Sequence, residues 1–365
     1  MDNDHAVVVL MGTAMTANAA EINDAESSSL EETVANLENG YAEYYDIIRS
    51  EMTLCSSDEF AGNVENTYLL EMEAVLKAER VEEMDYYQGV ENYCDTATDK
   101  ISRMSAEDSK LCMDILSSEK EDIYKELEEY IGKTQSFVFY IKETYPIDNM
   151  EEKEILFENG MDYVSWEAMV PSNHEELRES GYARMEKVGA ESTLMTDNME
   201  LQRAKASYSV DDAVNYMNKY TSNPSSCNVC GANKCTSKVD TTKYNSDYAY
   251  YVSPGSHVDC ANFVSQALYA GGIATDDTWK AGSSSWIGVK ALTDYMTSNK
   301  HWTSVGYSSV QKGDVVSFTS YSHVVMITSY DGTTYKYSGH TNDRKDATIS
   351  IKSTTASSYK FYRVS

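Results

Sequence analysis

The chain has 365 residues, 41% of them hydrophobic and 24% charged, and a net charge of −29. That length suggests roughly two domains, and the composition excludes collagen-like repetition and disorder along the whole chain. No apolar run reaches the roughly 18 residues needed to span a bilayer, and the acidity argues against nucleic acid as a partner, since phosphate binding needs Lys and Arg.

The charge is unevenly placed. Residues 1–200 hold 47 Asp and Glu against 14 Lys and Arg, a net of −33, whereas residues 201–365 hold 12 against 16, a net of +4. A compositional boundary therefore lies near residue 200. At the start, residues 6–19 read AVVVLMGTAMTANA, with Ala17 and Ala19 in an A-x-A arrangement. This resembles the apolar core and cleavage site of a secretory leader. MDNDH lacks the Lys or Arg with which such leaders begin, so a buried strand or helix is the alternative. Residues 1–20 are read as a signal peptide and 21–30, polar and Ser-rich, as a linker. The expected localisation is secreted and cell-wall associated.

From 31 to 200 the chain reads as an acidic, mainly helical domain of unknown role. Val34, Leu37, Tyr41, Tyr44 and Ile48 recur at three or four, as do Val64, Tyr68, Met72 and Val75, and then Leu111, Ile115, Ile123, Leu127 and Ile131. Each set marks an apolar stripe on a Glu-rich helix. The Glu-rich faces are solvated surfaces, and no D-x-D-x-D-G loop points to calcium. SFVFYI (136–141) and Tyr163–Val170 are either strands or short buried helices. No chemical motif appears in residues 21–200.

YSVDDAVNYMNKY (208–220) opens a helix with Ser209 as its N-cap. Beyond it strands are predicted at 313–318, 323–328 and 333–340. In DCANFVSQALYAGG (259–272), Asp259 sits where an N-cap belongs, Phe263, Val264, Ala267 and Leu268 form an apolar face, and Gly271-Gly272 closes the helix. Cys260 thus falls in the first turn, where the helix dipole should lower its thiol pKa. The alternative is a structural thiol or a disulfide partner. His323 starts an apolar strand and is the candidate base. If Asp331 and Gly332 form a two-residue turn, His323 lies opposite His340. His340 would then orient its ring. A register shift of two would bring in Asn342 instead.

Seven cysteines leave one unpaired if the others form disulfides, which in an exported chain suggests a reactive thiol. The pairing of Cys55, Cys94, Cys112, Cys227, Cys230 and Cys235 is not deducible. CNVCGANKC (227–235) has C-x2-C-x4-C spacing. A zinc site there needs a fourth ligand, His257 or Cys260, and a disulfide is the expected arrangement in an exported protein. No cofactor or metal is assigned.

DCANFVSQALYAGG, Trp279, SSWIGVKALTDYM, KGDVVSF, SHVVMIT and GHTNDR occur in that order. This set, over residues 207–365, resembles the amidase domain family (the sixth amidase group) of secreted Gram-positive proteins. That family is placed in the papain-like superfamily beside the CHAP and NlpC-type cell-wall hydrolases. The resemblance implies an α+β fold: a papain-like C-terminal domain, with a nucleophile helix packed on an antiparallel sheet, after the helical acidic domain. It maps the nucleophile onto Cys260, the base onto His323 and the polar third residue onto His340. The implied activity is hydrolysis of an amide in peptidoglycan, by an N-acetylmuramoyl-L-alanine amidase or a stem-peptide endopeptidase. The Cys260 N–H is expected to hold the oxyanion, with His257, Tyr251 or Gln266 as second donor. Trp279, Trp286 and the many tyrosines are candidates for lining a sugar or peptide groove, with core or ordinary surface the expected place for most of them. The competing readings are a non-catalytic wall-binding protein, or a protease or acyl transferase acting on proteins.

Overall fold

The computed structural model describes residues 7–9, 29–195, 208–230, 235, 237–254 and 256–364. Apart from Val7–Val9, the leader-like segment lies outside the described residues, as do most of the linker and the boundary near residue 200. Contacts divide the chain into two compact units, Met1–Lys77 with Gly132–Pro171, and Ala78–Ile131 with Ser172–Ser365. This division does not follow the charge, because charge is a property of solvated faces and contacts are made by buried ones.

The first unit pairs a long and a short helix with a six-stranded antiparallel sheet. Ser29 caps the helix Leu30–Tyr41, its hydroxyl accepting from the Glu32 N–H at 3.1 Å. Leu30, Val34, Leu37 and Tyr41 are its buried face, and Tyr41 meets Phe137 and Phe139 edge-on in the sheet. The strands run in sequence order: Val7–Val9, Tyr45–Phe60, Asn63–Leu76, Thr134–Pro146, Glu154–Asn159 and Asp162–Val164. The sheet corrects the expectation of helix through residues 45–76. Val64, Tyr68 and Met72 are spaced by four, which fits a strand's period of two as well as a helical turn. The burial of Leu70, Met72, Ala74 and Leu76 in alternation settles which period applies. The turn between the long strands places Ala61 and Gly62 at φ 52° and 84°, the two positive values that a tight hairpin turn requires. The segment 136–141 is a strand, and Tyr163–Val170 divides between the last strand and a short helix, Trp166–Met169.

The second unit contains three helices from the acidic half, Asp85–Ile101, Ala106–Glu128 and His174–Met195. Gly89 lies on the Arg178 carbonyl and Gly181 on that of Tyr86, and a Cβ on either would overlap the facing backbone. The glycines let the first and third of these helices cross in direct contact. Arg184, 6% exposed, lies 3.0 Å from Glu119, 3.6 Å from Glu126 and 3.5 Å from the Tyr86 hydroxyl. Tyr86 also packs edge-on against Tyr330 of the C-terminal sheet, ring centroids 5.0 Å apart. These helices therefore share a core with that sheet.

The C-terminal sheet is antiparallel and six-stranded, in the order Arg344–Ile349, Tyr335–Gly339, Val324–Tyr330, Val315–Phe318, Tyr359–Arg363 and Thr303–Val305. Ser209 caps the helix Val210–Lys219 through the Asp212 N–H, as expected. This helix and the helix Cys260–Ala270 pack with Val315, Val324 and Met326 in one core, joined by Trp279, Trp286 and Trp302. Helices on an antiparallel sheet make the unit α+β. Among the described residues no helix is long and apolar enough to cross a membrane.

The Arg184 cluster gives a stability test. Arg184→Ala leaves Glu119 and Glu126 facing each other without their cation, so it should cost about 3–5 kcal/mol. Urea unfolding of the full chain measures this, and a loss within experimental error of zero would show that the cluster is not what ties these helices together.

Candidate active site

Cys260 begins its helix and is 4% exposed. Its Sγ lies 4.0 Å from the Ser322 carbonyl oxygen, against the segment that carries His323. Burial pushes the thiol pKa up; the Val324 N–H, the Thr341 hydroxyl and the Ala261 N–H pull the other way but do not prevail. The expectation of a lowered pKa is thus corrected. A helix N-terminus contributes at most about 2 kcal/mol, and removing a thiolate from water costs more.

His323, expected as the first strand residue, immediately precedes the strand Val324–Tyr330 and is 3% exposed. Burial drives its pKa down to about 3, so the ring is neutral near pH 7. Its Nδ1 is buried without a hydrogen-bond partner, and its ring packs against Phe318 at 5.1 Å.

His340 does not fill the place opposite His323. The turn is longer than two residues: Asp331 Oδ1 accepts from the N–H groups of Thr333 and Thr334 at 3.0 and 2.7 Å, and Tyr330 pairs with Tyr335. An irregularity between Ile327 and Ser329 then shifts the pairing, giving Met326 opposite Ser338. This register is displaced by one residue from the one that would set His340 across from His323. A one-residue slip turns each side chain to the other face.

On that other face His340 meets Asp259. Its Nδ1 is 2.7 Å from Asp259 Oδ2, its Nε2 is 2.8 Å from the Tyr220 carbonyl oxygen, and its ring stacks between Phe263 and Tyr244 at 3.5 and 3.7 Å. Asp259 Oδ1 accepts from the Tyr251 N–H and from Asn262 Nδ2, whose own Oδ1 accepts from Trp286 Nε1. Asn342 Oδ1 accepts from the Lys238 N–H. His340 and Asn342 thus fix loops around the site, and neither is shown orienting His323.

Thr341 is the residue that sequence reasoning missed. Its Oγ1 accepts from the N–H groups of both Asp259 and Cys260, each at 3.1 Å. It replaces the side-chain cap that Asp259, the N-cap residue, does not provide. It also occupies the N–H expected to hold an oxyanion. Its φ of 88° is unusual for a β-branched residue, and no sequence pattern marks such strain. Among the expected second donors, His257 faces Cys227 and Cys230 at 3.5 and 3.4 Å, and Gln266 Oε1 accepts from the Tyr216 hydroxyl. Tyr251 contributes its N–H to Asp259. Trp279 and Trp286 are buried in the core, with ring N–H groups on Ser265 and Asn262, so they do not line a groove.

Residues 207–363 match the family model described as "Putative amidase domain". This segment carries that domain. The match includes Cys260, His323, His340 and Thr341, and it leaves residues 1–206 outside. No curated protein and no solved structure matches the chain. The family supports a hydrolase acting on amides.

Two measurements follow from the burial of this pair. Cys260 should react with iodoacetamide at neutral pH more slowly than a free thiol; peptide mass mapping separates it from the other six cysteines, and rapid labelling would contradict the raised pKa. Because His323 has a lowered pKa when folded, the unfolded chain binds more protons between about pH 3 and its ordinary value near 6.5. Its contribution to stability is complete above that range and is lost as pH falls through it. His323→Gln should therefore show a shallower loss of stability from pH 7.5 to 5.5 in urea titrations than the parent chain; parallel slopes would rule the contribution out.

Proposed function

We propose that the amidase domain is a cysteine-dependent hydrolase of the papain-like kind. Its proposed target is an amide of peptidoglycan, in an exported, wall-associated protein. The observation that carries this reading is the placement of Cys260, at the first turn of a helix and against the segment bearing His323, inside a domain of an amidase family. A neutral imidazole is the form that can accept a proton, and burial keeps His323 in that form.

In this mechanism His323 takes the Cys260 proton as Sγ attacks the amide carbonyl carbon. The tetrahedral intermediate collapses with cleavage of the C–N bond, and His323 gives the proton to the departing amine. The thioester left on Cys260 is then hydrolysed by water, which His323 deprotonates, releasing the acid and restoring the thiol. The Cys260 N–H would serve the oxyanion by exchanging Thr341 Oγ1 for it. His340 acts through Asp259, as a positioning residue for the start of the nucleophile helix. Hydrolysis of amides in proteins is the second reading, since a Cys–His pair does not by itself select the acyl group.

The test uses the full chain with purified cell-wall sacculi, and mass spectrometry of new termini. Stem peptides with a free L-Ala amino group identify the amidase, and termini within the stem identify an endopeptidase. Cys260→Ala should lower release by roughly 10³-fold or more. Equal release by this variant would overturn the mechanism, and Cys260-dependent cleavage of proteins but not of walls would overturn the substrate.

A further inference from the structure

Outside this chemistry, the side chains of Cys227, Cys230, Cys235 and His257 converge, and their four ligand atoms lie within 4.8 Å of one another. Tetrahedral zinc has bonds of about 2.3 Å to sulfur and about 2.0 Å to nitrogen, so the sulfur-to-nitrogen edge of its coordination shell is about 3.5 Å. Cys227 Sγ is 3.5 Å and Cys230 Sγ 3.4 Å from His257 Nε2. Two sulfurs at that distance from one ring nitrogen are more than a single hydrogen bond requires. The Cys230 N–H also points at Cys227 Sγ, at 3.4 Å, an arrangement that suits a thiolate ligand.

The surrounding chain has reason to need such a centre. Among the described residues between the helices Val210–Lys219 and Cys260–Ala270, regular structure is confined to the single turn Thr241–Lys243, the isolated bridge of Cys227 with Val239, and paired two-residue strands, Val252–Ser253 with Ser256–His257. Long irregular connections of this kind are uncommon in compact domains. The local core is small: Cys227, Cys230, Val239, Tyr244 and Val252. It has few apolar side chains beyond the thiols themselves, and a bound metal would supply the missing stabilisation.

We propose that Cys227, Cys230, Cys235 and His257 hold a structural zinc ion. Four protein ligands leave no open position for substrate or water, so the ion organises the chain and does not act on an amide. Cys260 is not among the ligands and stays available as a thiol. This reading replaces the disulfide expected from the cysteine spacing and the absence of any assigned metal.

The ion's position gives it a second consequence, which rests on the hydrolase reading. His257 lies three residues before Cys260. The loop between the ligands also holds the stretch around Thr341: Lys238 O accepts from the Asp343 N–H at 2.7 Å, and Asp343 Oδ2 accepts from the Asp240 N–H at 2.8 Å. Zinc thus braces two of the segments that meet at the nucleophile.

The full chain, purified under reducing conditions without chelator, should contain one zinc per molecule by plasma mass spectrometry. Exchange with Co²⁺ should produce tetrahedral ligand-field bands and thiolate charge-transfer absorption. Cys227→Ser with Cys235→Ser should lose both the zinc and these bands. The cobalt spectrum of the parent chain decides the matter even if that variant does not fold. Metal well below one equivalent with no cobalt bands, iron in place of zinc, or a native disulfide at Cys227 would each overturn the proposal. No measurement here involves a substrate, so a failure of wall hydrolysis would leave the zinc result standing.

Discussion

The buried pair of Asp259 and His340 is the constraint around which the site is arranged. Asp259 is 1% and His340 2% exposed. A carboxyl group at that depth is costly unless its oxygens are satisfied, and here it meets the His340 ring nitrogen and accepts from a backbone N–H and an asparagine. These three partners tie together the strand end at Gly339, the loop at Tyr251 and the helix that Cys260 begins. The stacked rings of Phe263 and Tyr244 exclude water from the histidine faces. The orientation of the first helical turn is therefore fixed by groups that do not touch the thiol.

That arrangement explains why Asp259 does not act as the helix cap. Its carboxylate is committed to His340, so the free N–H groups at the helix start need another acceptor. Thr341 supplies it from the facing strand end, at the cost of a left-handed backbone. The residue that follows His340 thus completes what the His340 pair leaves undone. Burial then opposes the helix dipole at Cys260, and the neutral thiol is favoured beside a neutral His323.

The helix of Cys260 was legible because its signals were local: an Asp before it, apolar residues on one face and two glycines after it. So were the strands around Val315, Val324 and Tyr337. The partner of His323 was not, since it depended on counting across a turn. Asp331-Gly332 reads as a two-residue turn, yet the Asp331 side chain draws Thr333 and Thr334 into the loop, and a further irregularity follows at Thr328. These shifts together displace the ladder by one residue from the register that would pair His323 with His340. The hairpin of residues 45–76 was lost to a different ambiguity, a spacing of four that serves both periods. The cluster of Cys227, Cys230, Cys235 and His257 was visible as a spacing, but its fourth member could be chosen only by geometry.

The charge boundary near residue 200 has a physical meaning different from a domain boundary. Helices 85–101, 106–128 and 174–195 carry much of the acid on their exposed faces, while their buried faces hold Tyr86, Leu127 and Arg184. Gly332, in the loop after Tyr330, fits against Met84 and Leu127 so closely that a Cβ would collide with Met84. Lys187 reaches Thr303 at the edge of the sheet, and Glu176 accepts from the Ser353 hydroxyl. The family match begins at residue 207, yet the core to which that segment contributes begins near residue 78. Excising the matched segment alone would bare Tyr330 and the loop that sets the register of the hairpin. That register places Thr341 beside Cys260, so the acidic helices bear on the site through the sheet that they cover.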